Sequence, residues 1–244
     1  MIGHDLSKPG DWYEEHYVVS QLLRLLLGEV ESVTWEARGE DGVGVDCVVV
    51  ERGTRVAVQC KTRSTRSWTI GDIINVQTTS GRSLLRDARQ QLELHPGSRF
   101  RFVSDAPCPE LKRVLEGVQT TSPEDPTWHT GDSAQSILEH WALRDGLDLL
   151  ELAHDLLGRL ELQVVDARSL DGFNQTLANA LAAPGEASAL ITSLLGLART
   201  KLTTALRIKA VEATLRRDGV TLQPRPGGPK IHRRLDQLAK SYVA

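Results

Sequence analysis

Asp46, Gln59 and Lys61, with Glu14 upstream, are the residues of this 244-residue chain whose types and spacing best suit chemistry. Hydrolysis of a phosphodiester needs oxygen ligands for a hard divalent cation, Mg2+ or Mn2+, and a group that positions or deprotonates the attacking water. Asp46 supplies a carboxylate, Gln59 a side-chain carbonyl and the Cys60 backbone a further carbonyl. Lys61 would stabilise charge on a pentavalent phosphate or act as general base, and the sequence leaves both roles open. Glu14 would add a second carboxylate, to the metal or to an outer-shell water, with the adjacent Glu15 as the competing choice. Arg63 and Arg66 follow in an acid-free stretch and suit contacts to backbone phosphates, with a plain solvated loop as the alternative.

These residues must be carried by regular elements. Tyr13, Tyr17, Val18, Leu22, Leu25 and Leu26 recur at helical spacing, which predicts a helix over 11–28 with Gly28 as its stop. Val-rich segments at 33–37, 44–51 and 55–61, separated by Gly- and Asp-containing turns, predict three strands, the last two forming a hairpin. Side chains alternate across a strand, so Gln59 and Lys61 share one face while Val56, Val58 and Cys60 take the other. Pairing in a hairpin would bring Asp46 beside Gln59 and Lys61.

A polar stretch at 62–67 leads into a helix ending near His95-Pro96-Gly97, and residues 99–103 return as a strand. The resulting order of helix, three strands, helix and strand predicts an α/β fold, a mixed sheet flanked by helices. Beyond Pro107-Cys108-Pro109 the pattern turns helical at 109–119, 132–156 and 173–217, with one strand at 160–166. The loop at 120–130, with Pro123 and Pro126, marks a boundary. The expected division is a core over 1–122, a mainly helical C-terminal lobe over 123–223 and a basic segment over 224–244. From 197 to 220 the spacing of Leu202, Leu206, Ile208, Val211 and Leu215 is that of a packing helix rather than of a helix-turn-helix reader.

Composition, with 40% hydrophobic and 25% charged residues, is that of an ordinary globular protein. No apolar run is long enough to cross a bilayer, and residues 1–7 do not read as a signal peptide, so a cytoplasmic protein without membrane association is expected. Three cysteines without close spacing suit free thiols in a reducing compartment. The seven histidines show no ligand spacing, and no phosphate-binding glycine loop is present. The net charge of −3 hides an asymmetry: from Arg199 onward there are 11 Lys or Arg against 3 Asp or Glu. Such a stretch suits nucleic acid or a solvated basic face.

Glu14 on the first helix, Asp46 in the second strand and Gln59-Cys60-Lys61 in the third resemble the PD-(D/E)xK nuclease superfamily, in the Gln-x-Lys variant of Mrr-like restriction enzymes. The opening Gly10-Asp11-Trp12-Tyr13-Glu14 is similar to the Mrr-like helix start. The layout, with helices following the sheet, resembles the double-stranded-DNA endonuclease domains of bacterial anti-phage effectors, both cyclic-oligonucleotide-activated and NTPase-linked. This resemblance covers residues 10–104 and implies a restriction-endonuclease-like fold. It also implies a Mg2+-dependent endodeoxyribonuclease acting on double-stranded DNA, homo-oligomerisation on activation, and a sensor or NTPase module fused to it or working with it. Two departures stand out: Gln59 replaces an acid, and Gly42-Val43-Gly44-Val45 precedes Asp46 without the proline that names the superfamily. A nuclease fold that binds DNA or a protein partner without cutting is the competing expectation.

Overall fold

Every residue of the first helix from His16 to Leu23 is buried, and the reason is that both of its flanks are covered. The structure, a computed structural model, describes residues 9–35, 39–63, 66–75, 82–120, 133–200 and 203–224. Helix α1 (Pro9–Leu27) ends where Gly28 stops it. It buries Tyr13, Tyr17, Val18, Leu22, Leu25 and Leu26 as expected, and Val19 and Leu23 besides. It lies against the sheet on one side and later helices on the other.

The sheet has five strands in the order β1-β2-β3-β4-β5. Strands β1 (Ser32–Trp35), β2 (Cys47–Glu51) and β3 (Thr54–Lys61) run antiparallel in sequence, and the expected hairpin joins β2 to β3 with Val49 opposite Val56. Its turn places both Arg52 (φ 50°) and Gly53 (φ 76°) in the left-handed region, the twist that matches flanking right-handed strands. β4 (Arg99–Ser104) pairs in parallel with β3, and β5 (Leu160–Val164) in parallel with β4. Strand β2 starts at Cys47 rather than at residue 44, because Gly44 adopts φ 67° and turns the chain before it enters the sheet.

Parallel strands need long crossovers, and these supply the layer on one face. Between β3 and β4 run α2 (Ile70–Ile74) and α3 (Leu84–Leu94). Between β4 and β5 run α4 (Pro109–Thr120), α5 (Ser133–Arg144), a π turn over Glu151–Leu156 and a 3-10 turn over Leu157–Arg159. Val48, Ala57, Phe100 and Phe102 point into this layer. The other face carries Cys47, Val49, Val56, Val58, Cys60 and Val103, packed under α1, α6 (Ala167–Leu181), α7 (Ala187–Arg199) and α8 (Ile208–Arg217). The alternation read along residues 55–61 is the alternation that divides the two cores.

The stretch read as a helical lobe, 123–223, supplies the edge strand β5 and shares its core with α1. The long helical pattern at 173–217 resolves into three helices. Between the last two, Leu206 exchanges backbone hydrogen bonds with Val33 (2.8 and 3.0 Å) and so blunts the edge of β1. Val211 and Leu215 of α8 are buried, as a packing helix requires. The boundary loop at 121–130, the basic segment from 225 and Leu202 lie outside the described residues. All three cysteines are free and buried. Among the described residues no helix is long and apolar enough to cross a membrane.

Candidate active site

The parallel strands β3, β4 and β5 end together at one edge of the sheet, and β2 begins there. Open α/β sheets bind ligands at this carboxyl edge. A cleft of about 250 Å3 lies at that edge, lined by Asp46, Gln59 and Lys61 from the hairpin, Trp68, Asp72 and Ile73 from the start of the crossover, and Arg82, Ser83 and Asp87 from the entry of α3.

Pairing of Cys47 with Val58 places Asp46 just outside the ladder, where its N–H donates to the Val58 carbonyl at 2.9 Å. Its carboxylate oxygen Oδ2 accepts the Cys60 N–H at 2.6 Å. A backbone donor of β3 thus pins the Asp46 side chain across the hairpin. Gln59 and Lys61 flank Cys60 on the cleft face, so the three residues singled out by spacing are brought together. Gln59 is only 6% exposed. Its Nε2 donates to Asp87 Oδ2 over a long 3.5 Å, and its Oε1 is buried with no hydrogen-bond partner. A buried carbonyl oxygen left unpaired costs about 1–3 kcal/mol, and such an atom fits a site made for a ligand.

Glu14 reaches the strands from the α1 side and does not line the cleft. Burial pushes the Cys47 and Cys60 thiols well up, and the charges of Asp46 and Glu14 add to the shift. The charge of Glu14 is thus felt at Cys47 and Cys60, which flank the site, from outside the cleft. The start of α1 lies beside the end of β3, since a Cβ on Gly10 would come within 3.9 Å of Thr62 Oγ1. Glu15, the competing choice, is committed elsewhere: Arg199 Nε of α7 pairs with its Oε2 at 3.0 Å.

Arg63 and Arg66 differ in exposure. The Arg63 guanidinium forks onto both oxygens of Asp72 (2.5 and 2.9 Å) and stacks over the Trp68 ring at 4.3 Å. The hydrogen bonds from Arg63 hold the Asp72 carboxyl well below its usual range. Asp72 also closes a capping box with Thr69 at the start of α2. Arg66 is 67% exposed and lies 3.4 Å from the same carboxylate. Arg63 thus shapes the cleft wall, and Arg66 presents its charge to solvent.

Sequence reasoning missed Asp87. It sits on α3, 5% exposed, and pairs with Arg82, whose Nε and Nη2 donate to Oδ1 at 2.8 and 2.5 Å. The signal was its place inside the apolar stripe of α3, between Leu84 and Leu85 on one side and Ala88 on the other, four residues before the equally buried Gln91. Gly44 makes room for it. A Cβ there would collide with the Asp87 carboxylate. Gly44→Ala therefore combines a left-handed φ, costing about 1–2 kcal/mol for an L side chain, with displacement of a buried carboxylate. A loss of at least about 2 kcal/mol in urea unfolding is expected, and an unchanged midpoint would refute this account of the turn.

Among the described residues, no three His, Cys, Asp or Glu side chains gather as a metal-binding group. The available donors are mixed: one strand carboxylate, one amide oxygen and one backbone carbonyl, with Asp87 behind the amide. Oxygen donors of this kind fit a hard divalent cation, and the unpartnered Gln59 Oε1 is the atom that fits it best.

No protein-family model matches the chain, and no curated protein matches it in sequence. Solved structures do. The Acinetobacter baumannii Cap4 SAVED/CARF-domain containing receptor matches with a TM-score of 0.52 at 13% identity, covering 95% of this chain and 49% of the receptor. The same receptor with the cyclic trinucleotide 3'3'3'-cAAA matches at 0.51 and 12% identity, covering 95% and 50%. The Moraxella osloensis Cap4 receptor matches at 0.50 and 15% identity, covering 87% and 48%. The chain thus spans about half the length of these receptors, and at such identities the likeness is one of fold.

Proposed function

We propose that the chain is a restriction-endonuclease-like, Mg2+- or Mn2+-dependent endonuclease domain that hydrolyses double-stranded DNA as the effector part of an anti-phage defence protein. The observation that carries this reading is the convergence of Asp46, Gln59 with its unpartnered buried Oε1, and Lys61 in one cleft at the carboxyl edge of the sheet. Asp46, Gln59 Oε1 and the Cys60 carbonyl would hold the metal, and Glu14 would act from the α1 side. When bound, a divalent cation supplies Lewis acidity and a water of lowered pKa. Lys61 stabilises the negative charge that develops on the phosphate, and Arg66 steers the backbone of the substrate toward the cleft.

The defence role is supported by the sequence resemblance to anti-phage effectors and by the shared fold with receptors, one of them solved with a cyclic trinucleotide. Activation would follow homo-oligomerisation driven by a sensor or NTPase module. A second reading, a nuclease fold that binds DNA or a protein partner without cutting, is favoured by one observation: among the described residues lining the cleft, no third carboxylate joins Asp46 and Asp87 except Asp72, which is held by Arg63.

Covalently closed duplex DNA, circular single-stranded DNA and RNA, each incubated with the protein in Mg2+ and in chelator, separate these readings. Nicking of the closed duplex in Mg2+ alone supports the proposal. Equal binding of duplex with and without chelator, and no cut product, supports the second reading; cleavage confined to RNA would overturn the substrate class.

A further inference from the structure

We propose that Asp87 is a positioning residue that fixes which end of the Gln59 amide faces the metal, an inference that rests on the metal-site reading above. An amide has a donor end and an acceptor end of nearly the same shape, and only the oxygen end can bind a cation. Something must choose between them. The Asp87 carboxylate is an acceptor only, so it takes the Nε2 end at 3.5 Å and leaves Oε1 on the other side of the amide, buried and unpartnered. Arg82 holds the Asp87 carboxylate in place through two hydrogen bonds to Oδ1, and the absence of a side chain at Gly44 leaves room for it.

This arrangement accounts for a glutamine where an acid is usual. A glutamate at position 59 would set one carboxylate against another at the same short distance, and like charges so close oppose joint ionisation. With Asp87 behind it, glutamine presents an oxygen to the cleft and a donor to the helix. The negative charge absent from position 59 is held one residue farther back, on α3.

The test is a double-variant cycle read by Mn2+ binding in titration calorimetry, without DNA, on wild type, Asp87→Asn, Gln59→Glu and the double variant. An asparagine amide at position 87 accepts or donates equally well, so it no longer selects the amide orientation. Asp87→Asn is expected to weaken Mn2+ binding about 10- to 100-fold, the usual effect of removing an outer partner of a metal ligand. In the Gln59→Glu background the same substitution is expected to cost nothing, because a carboxylate has no wrong end and the new amide can donate to it. Equal weakening in both backgrounds, as a purely structural or long-range charge effect would give, overturns the assignment of Asp87 alone. Absence of Mn2+ binding by the wild-type protein overturns the metal-site reading and this assignment with it. Where Asp87→Asn alone does not fold, the double variant decides: Mn2+ affinity within about threefold of wild type supports the assignment, and a loss beyond about tenfold overturns it.

Discussion

Asp46→Asn is expected to lower the rate of duplex cleavage by at least about 10^3-fold while leaving the protein folded. The choice of asparagine matters. Asp46 has a structural task beside the chemical one proposed for it, since its Oδ2 accepts the Cys60 N–H at 2.6 Å. Alanine would leave that backbone donor unpaired in a half-buried place, costing about 1–3 kcal/mol and confusing loss of chemistry with loss of fold. Asparagine keeps an oxygen for Cys60 and removes only the charge that would hold the cation. Lys61→Ala is expected to give a loss of similar size, about 10^2- to 10^3-fold, the range for removing a group that stabilises transition-state charge. Single-turnover cleavage of a duplex by each variant, beside thermal unfolding curves, is the measurement. A variant at either position that unfolds as wild type does and cuts within about tenfold of it would remove that residue from the site.

Arg101→Met is expected to destabilise the fold by about 3 kcal/mol, the low end of the cost of removing one member of a buried ion cluster, because Glu51 and Glu161 are only partly buried and keep Arg24 and Arg99. Arg101 lies on β4 beside Val58 of β3, is 9% exposed, and reaches partners toward the end of the sheet away from the cleft. Its Nη1 and Nη2 donate to Glu51 at 3.0 and 3.1 Å, and its Nε to Glu161 at 2.7 Å, so it clamps the end of β2 and the start of β5 to β4. Arg24 of α1 joins through Glu51 at 3.0 Å. Burial alone would push the Glu51 carboxyl up, but the hydrogen bonds and charge of Arg101, with those of Arg24, outweigh it and hold the group at about 2, below its ordinary 4.5. A depressed carboxyl stabilises the fold above its unfolded value and ceases to do so as pH falls through the folded one. Wild type should therefore lose stability between about pH 5 and pH 2, and Arg101→Met should flatten that part of the profile. Because replacing a whole buried ion cluster by apolar groups is often neutral, adding Glu51→Leu to Arg101→Met should recover part of the loss. Denaturant unfolding from about pH 2 to pH 7 measures all three. A cost under about 1 kcal/mol for Arg101→Met would mean that the brace is no stronger than a surface ion pair.

Much of this architecture was legible because strand periodicity is strict. Val56, Val58 and Cys60 against Gln59 and Lys61 is a pattern with one solution, and the hairpin register then leaves little freedom for Asp46. Helix α1 was equally plain from Tyr13 to Leu26. Gly44 was harder to place: its neighbours Val43 and Val45 read as strand, and only the approach of Asp87 from a distant helix dictates that the backbone turn there. Asp87 itself was hidden for the same reason. Its place in the apolar stripe of α3 marks it as buried, but nearby Arg82, Arg86 and Arg89 compete with that signal, and its contact with Gln59 of β3, a relation across 28 residues, is not carried by local spacing. The helical pattern after residue 132 named the helices but not their partners. That β5 would extend the sheet, and that α6 to α8 would close over α1, depends on which apolar faces meet.

Incubation of the protein with supercoiled plasmid, in Mg2+ beside an equal sample in chelator, tests the central claim most directly. Nicked and then linear plasmid is expected in Mg2+, none in chelator, and none with Asp46→Asn at the same concentration. Plasmid that remains supercoiled in Mg2+ and in Mn2+ at every protein concentration, including under conditions where the protein self-associates, would contradict it.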